Sequence, residues 1–388
     1  MFAKRALLWG LVACVLGTAG CTVGVSRNSV PAGSVRVSIE PDGTAAVNPV
    51  TPITVRAEHG RLTGVTMTNT GTGARVDGTL APDGTAWTAT EPLGYASRYT
   101  VIARAVGEQG KRIEQHGEIT TLAPRARAEP NLIPAPDSVR DQGVGVGQPI
   151  VFQFSLPVGD RAAVERRLSV VSQPAQEGGW SWIDDRNVHY RPKEYWRPGT
   201  RLTVAAKIYG VDFGNGAYGA RDRTETYRVH DSWIARADGT TEQMHILHNG
   251  EEVKSMPISM GKDATPTHSG THVISAKYEN YTMDSCTYGV CRGEPGYYRA
   301  REHWSQRISA DGEFVHENPN SVAQQGNANV SHGCVNLDAS NAKWFFDHFG
   351  LGDVVEVTNS GGPELPVWDR YGDWSLSWPE WQAGSALR

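Results

Sequence analysis

Long hydrophobic runs are nearly absent from this 388-residue chain. The apolar stretch "ALLWGLVACVLGTAG", after Lys4 and Arg5, is too short and wrongly flanked for an ordinary membrane span. Long basic runs are missing too, and a formal charge of -5 argues against nucleic acid as a partner. Cysteine is scarce, with five residues, and the C-x2-C pairs that build structural zinc sites do not occur. The lack of a Cys-Trp-Cys pattern excludes an antibody-type domain. What the chain does have is punctuation. Its 43 glycines and 22 prolines, spread along the sequence, favour many short strands and turns over long helices.

The basic-then-apolar start has the layout of an export signal over residues 1–20. Thr18-Ala19-Gly20-Cys21 is similar to a bacterial lipoprotein box, with Thr18 where leucine is usual. Cys21 is therefore expected to carry lipid and to begin the mature chain, followed by a linker over 21–33. That would place the protein in the cell envelope, on the outer face of the cytoplasmic membrane. Cys14 leaves with the signal. Cys286 and Cys291 lie in a Gly/Pro-rich loop, "DSCTYGVCRGEPGYY", and could pair in an oxidising compartment. Cys334 then has no partner, and such a thiol in an exported protein is either buried or used.

The chain reads as mainly β. Over residues 34–122, short alternating runs such as "SVRVSIE", "ITVRAEH" and "RYTVIARAV" are separated by turn signals such as "APDGT", which suggests an antiparallel sandwich. A Pro/Arg/Ala-rich linker leads to a second β module over 131–229, with "PIVFQFSLPV", "NVHYRPK" and "TRLTVAAKIYGV". Each module has a Trp-containing strand ahead of a "T-V-x-A"-like strand, so two copies of an immunoglobulin-like unit are expected. A third domain, 231–358, opens on a hairpin turning at Asn249-Gly250. It is expected to contain one main helix after Cys334, N-capped by Asp338 and ended by Gly350. Ala342, Phe345, Phe346 and Phe349 would form that helix's apolar face. Residues 359–388 carry Trp368, Trp374, Trp378 and Trp381, and read as a tail docked against the folded body, with a glycan-stacking surface as the alternative.

The chemistry concentrates at "SHGC". A thiol attacks carbonyls as the thiolate, so it needs a base nearby and donors for the oxyanion that forms. Gly333 permits a tight turn in which the Gly333 and Cys334 N–H groups converge. His332 lies two positions before the thiol, and His316 lies upstream in "GEFVHENP"; spacing alone does not choose between them. Cys334, His332 and His316 as zinc ligands remain a competing reading, as does a merely buried cysteine.

"VHENPNSVAQQGNANVSHGCVNLD" resembles the signature of L,D-transpeptidases with the YkuD-type catalytic domain. The likeness runs densely over about 230–388, and the preceding modules are similar to the paired immunoglobulin-like domains of mycobacterial members. The resemblance implies an enzyme that joins peptidoglycan stem peptides. Cys334 would take the acyl group of a donor tetrapeptide, release D-Ala, and pass the acyl group to a second stem's amine as a 3→3 cross-link. It implies His316 as base, and His332 and Gly333 as residues that shape the site. Met283, Tyr288 and Tyr298 match positions lining the substrate cleft, together with Ser331 and with Asn336, which stands where relatives have Arg or Asn. Carbapenem β-lactams would acylate the same thiol; no cofactor and no metal is implied. A carboxypeptidase and a non-catalytic wall-binding scaffold are the rival readings. Glu317 departs from the family, where a small residue often follows the histidine, and so does the cysteine pair in the lid. A thiol count on denatured mature protein tests the pairing: one free thiol is expected, and three would exclude the bridge.

Overall fold

The computed structural model describes residues 34–42 and 45–388; the signal segment, Cys21 and the linker over 21–33 lie outside the described residues. The chain divides into two compact units. Residues up to Ala45 with Pro52–Glu91 and Arg98–Ile119 form the first, while Ala46–Thr51, Pro92–Ser97 and Thr120–Arg388 form the second.

The first unit contains two four-stranded sheets. In the strand Arg98–Gly107, Tyr99, Val101, Ala103 and Ala105 are buried alternately with residues that are not. That period of two is what a half-buried strand requires. Trp87 and Ile53 add to the buried set.

The second unit begins with another β module, whose sheets are built from Pro130–Ile133, Ile150–Phe154, Gly178–Trp182 and Asn187–Pro192 on one side, and Leu168–Gln173, Arg201–Ala206 and Arg223–Arg228 on the other. Phe152, Phe154, Trp196 and Leu202 fill the core between them.

In the C-terminal body, strands are numbered β1 to β9 and helices α1 and α2. A five-stranded sheet has the order β3-β2-β1-β9-β4, from β1 (Trp233–Asp238), β2 (Gln243–His248), β3 (Glu251–Pro257), β4 (Gly270–Val273) and β9 (Val354–Thr358). The hairpin β2–β3 turns at Asn249-Gly250, with φ of 51° and 89°. Two consecutive positive φ values are what a two-residue type I′ turn demands. A four-stranded sheet runs β5-β6-β7-β8, from β5 (Ala276–Asp284), β6 (Arg299–Arg307), β7 (Phe314–Glu317) and β8 (Val335–Leu337).

Helix α1 (Ala339–His348) follows β8, and the Asp338 side chain accepts from the Ser340 and Asn341 N–H groups at its start. Ala342, Phe345 and Phe349 are buried from it, whereas Phe346 is half-buried beneath the Lys277 ammonium. The helix ends differently from expectation. Phe349 leaves it in an extended conformation, and it is Gly352, not Gly350, that takes a positive φ, 90°. The turn to β9 thus comes two residues later than a glycine C-cap at 350 would put it.

The tail docks on the second β module. Trp374, Trp378 and Trp381 surround the Arg191 guanidinium, each ring within 5.5 Å. The three indole N–H groups donate to the Gly147 carbonyl, the Glu177 carboxylate and the Gly179 carbonyl. Trp381, in α2 (Trp378–Ala383), is fully buried. Trp368 is the exception, 67% exposed. Replacing Trp381 with alanine should cost about 3–5 kcal/mol, read as lowered stability in denaturant unfolding; an unchanged midpoint would mean that the tail is not docked in solution.

Candidate active site

β7 and β8 are adjacent and parallel, with Val315 opposite Val335 and His316 opposite Asn336. Side chains alternate along a strand. Cys334, two positions before Asn336, therefore points to the same face as Asn336, and so does His316. Of the two histidines, this pairing puts His316 beside the thiol.

His316 is buried, and its Nδ1 lies 2.7 Å from the Glu317 carbonyl, to which it donates. That bond fixes the tautomer and leaves Nε2 for the thiol. The site thus uses the backbone of Glu317, which accounts for its tolerance of a side chain larger than the usual small residue. Burial alone pushes the His316 imidazole down, but its contacts with the Cys334 thiol and the Glu302 carboxylate outweigh this and raise it to about 10.

Cys334 is free and buried, packed with Met283 and Phe314 and flanked by Tyr281 and Tyr298. Gly333 has a φ of 123°, open to glycine and strained for other residues. The turn at Gly333 differs in one respect from expectation. The Gly333 N–H donates to Ser331 Oγ at 3.0 Å, and that hydroxyl donates to the Cys334 carbonyl at 2.6 Å. Of the two amides, the Cys334 N–H is the one without a partner inside the turn. Ser331 is thereby a brace of the turn.

His332 is exposed, its ring 5.4 Å from that of Tyr298 and its Nε2 3.1 Å from Lys262 Nζ. Partial desolvation of its ring against its neighbours, and then the Lys262 charge, hold its pKa below the ordinary value. Among the described residues, Cys334, His316 and His332 are not brought close enough together to share a metal ion. Asn336 is buried, with neither amide atom hydrogen-bonded among the described residues, so it has donors and an acceptor to offer beside the thiol.

The lid joins β5 to β6. Cys286 and Cys291 are bridged within it. Asp284 accepts from the Cys286 N–H, and Ser285 Oγ accepts from the Tyr298 N–H while donating to the Val290 carbonyl. Met283 and Tyr298 thus stand at the two ends of a tied loop, against the thiol. Tyr288 ends the short turn Ser285–Tyr288, and its side chain lies outside the described residues.

Beneath the turn lies a cluster that sequence reading missed. Glu313 accepts from the His268 backbone N–H at 2.8 Å, and lies 3.1 Å from His268 Nδ1 and 3.2 Å from His272 Nε2. Thr267, next to His268, donates to the Gly333 carbonyl at 2.7 Å. The carboxylate therefore holds the segment that holds the turn. Asp311 is near enough to His268 and Glu313 for the three to ligate a cation, but Glu313 is already satisfied by its histidines. No spacing pattern links residues 268, 272 and 313, so only proximity reveals them.

Two family models match the chain: a bacterial Ig domain over residues 44–212, and the L,D-transpeptidase catalytic domain over 232–357. The chain is 42% identical over 345 residues to L,D-transpeptidase 2 of Mycobacterium tuberculosis, covering 89% of this chain and 83% of the relative. It is 37% identical over 365 residues to L,D-transpeptidase 5 of the same organism, covering 91% and 77%. Among solved structures, LD transpeptidase LdtMt1 in complex with imipenem matches with a TM-score of 0.50 and 34% identity, over 59% of this chain and 99% of that one. A mainly β chain with immunoglobulin-like modules ahead of this catalytic domain is an enzyme. It belongs to the L,D-transpeptidase family.

Burial alone raises the Glu313 carboxyl, but hydrogen bonds from His268 and His272 outweigh it and hold it at about 2, below its ordinary 4.5. A depressed carboxyl stabilises the fold fully above its unfolded pKa, and that contribution is lost as pH falls from about 4.5 toward about 2. Replacing Glu313 with glutamine, which leaves the histidines poorly paired, should cost about 3–5 kcal/mol at neutral pH. The same variant should lose less further stability than the parent on acidification, as denaturant unfolding at several pH values would reveal.

Proposed function

We propose that the protein is a cysteine acyltransferase that cross-links peptidoglycan stem peptides. The observation that carries this reading is the placement of the His316 imidazole and the Cys334 thiol on one face of the parallel pair β7–β8. His316 Nε2 takes the thiol proton, and the sulfur attacks the carbonyl on the L-centre of a diaminopimelate residue in a donor tetrapeptide. The oxyanion that forms is met by the Cys334 N–H. The imidazolium returns its proton to the leaving D-Ala amine, and a thioester remains. The side-chain amine of a second stem then attacks the thioester, gives its proton to His316, and leaves as a 3→3 amide while the thiol is regenerated. Met283, Tyr298 and Asn336 line the donor cleft, with Tyr288 on the lid.

A carbapenem would enter the same sequence. Attack on its β-lactam carbonyl opens the ring, and the ring nitrogen takes the proton, leaving an adduct on Cys334. The imipenem complex of the related LdtMt1 supports this. Lipid on Cys21 would hold the enzyme to the outer face of the cytoplasmic membrane, since a diacylated cysteine anchors stably where one chain does not.

Mass spectrometry of stem tetrapeptides incubated with enzyme tests the reading. Diaminopimelate-linked dimers are expected; trimmed monomers would make it a carboxypeptidase, and unchanged substrate a scaffold. Cys334→Ala should abolish both the dimers and the carbapenem mass shift. His316→Ala should slow acylation by about 10²–10⁴-fold, and acylation at the parent rate would remove His316 as the base.

A further inference from the structure

The catalytic imidazole has a second neighbour that the mechanism above leaves unused. Glu302, on β6, places Oε2 3.6 Å from His316 Nδ1. Its side chain is 15% exposed and that of His316 is 4% exposed, so little water screens the pair. The Nδ1 proton is already donated to the Glu317 carbonyl at 2.7 Å, and 3.6 Å is beyond hydrogen-bond reach. The carboxylate therefore acts as a charge.

We propose that Glu302 is a positioning residue for the catalytic pair, its carboxylate holding His316 as imidazolium and Cys334 as thiolate in the resting enzyme. This deepens the reading above and rests on it.

A buried imidazole opposite a buried thiol faces a choice between a neutral pair and an ion pair. Burial favours the neutral one, because both charges lose hydration. An added negative charge on the Nδ1 side, away from the sulfur, stabilises imidazolium more than it repels thiolate, since it lies beside the first and beyond it from the second. The groups bearing on the imidazole are few. The turn before β8 brings the Cys334 thiol, and β6 brings Glu302. Glu317, on the same strand, contributes its carbonyl. Tyr281, opposite Glu302 in the β5–β6 ladder, has its hydroxyl taken by Arg307 at 2.9 Å. The raised imidazole pKa has the sign this arrangement requires.

The local backbone also fits a constrained site. Trp304, two residues after Glu302, has a φ of 49°, a left-handed conformation rare for a bulky residue. Its ring packs on Phe346 of α1. That stretch of β6 is thus held from the helix side, just before the strand begins pairing with β7 at Gln306. Strain of this kind gathers at functional sites.

The test is a pH titration of the full chain and of Glu302→Gln, following the thiolate ultraviolet absorbance against Cys334→Ala and the imidazole by nitrogen NMR. The parent should carry thiolate at neutral pH. In Glu302→Gln the thiolate fraction at neutral pH should fall, the imidazole midpoint should drop by about one to three pH units, and carbapenem acylation at neutral pH should slow by about tenfold or more. A loss of packing alone would slow acylation without moving the midpoint. Should Glu302→Gln unfold, Glu302→Asp keeps the charge but withdraws it, and a smaller drop is expected. An unmoved midpoint in the folded variant overturns the inference while the parent still acylates. A parent that never acylates would instead overturn the proposed function.

Discussion

Everything at the site depends on the register of two short parallel strands. Sliding β8 by one residue against β7 would turn Cys334 to the opposite face and separate sulfur from imidazole. Parallel neighbours cannot be joined by a tight turn, so the loop between Glu317 and Ser331 must fix this register itself. It does so by polar contacts to the segment that follows β3. Ser259 Oγ donates to the Ala328 carbonyl, Asn329 Oδ1 accepts from the Met260 N–H, and the Ser331 N–H donates to the Met260 carbonyl. Gly326 closes against the Ile258 carbonyl. Cys334 is therefore positioned from two sides, by the strand it precedes and by the loop that delivers it.

The electrostatics follow from burial. In a dry site each charge must be matched nearby, and the two carboxylates meet that need differently. Glu313 is locked between two histidines and a backbone amide, and its role is to hold the segment under the turn. Glu302 makes no hydrogen bond to the imidazole and is left as a field source. One carboxylate is spent on geometry and the other remains to bias protonation. A site in which the imidazole had only the Glu317 carbonyl would have its tautomer fixed but its charge unsupported.

Much of this was readable where it depended on local chemistry. Asp338 as N-cap, the positive-φ turn at Asn249-Gly250 and the apolar stripe Ala342–Phe345–Phe349 follow from neighbours within one turn of chain. The pairing of Cys286 with Cys291 was open to sequence reading because both lie in one short loop. Which histidine lies beside the thiol was not, since residues 316 and 332 both precede Cys334 in sequence and only strand pairing separates them. Glu302 and Glu313 were illegible for a related reason: single carboxylates with no spacing signal, one on β6 and the other just before β7. The exit of α1 was misjudged because Gly350 satisfied the local rule for a C-cap, while the close approach of Gly145 and Gly352 dictated where the chain turned. A Cβ on Gly145 would sit 2.2 Å from the Asp353 nitrogen, so the backbones touch there.

β9, which follows that close approach, carries valine on both of its faces. Val355 and Val357 face the core of the C-terminal body, with Met244, Ile246 and Phe345. Val354, pointing the other way, lies in the core of the second β module, with Trp196 and Val229. One strand thus serves two cores. The Gly145 and Gly147 N–H groups donate to the Leu351 and Gly352 carbonyls beside it, and the tail seals the same module through Arg191 and its three tryptophans. β9 is parallel to β1 and antiparallel to β4, and β4 carries His272, the partner of Glu313. The path from the second module to the turn at Cys334 is therefore a chain of packed and hydrogen-bonded contacts: Val354, β4, His272, Glu313, His268, Thr267, Gly333. A module joined to the catalytic body in this way is part of the rigid support of the site, because loosening it would leave half of β9 and the back of β4 without a core.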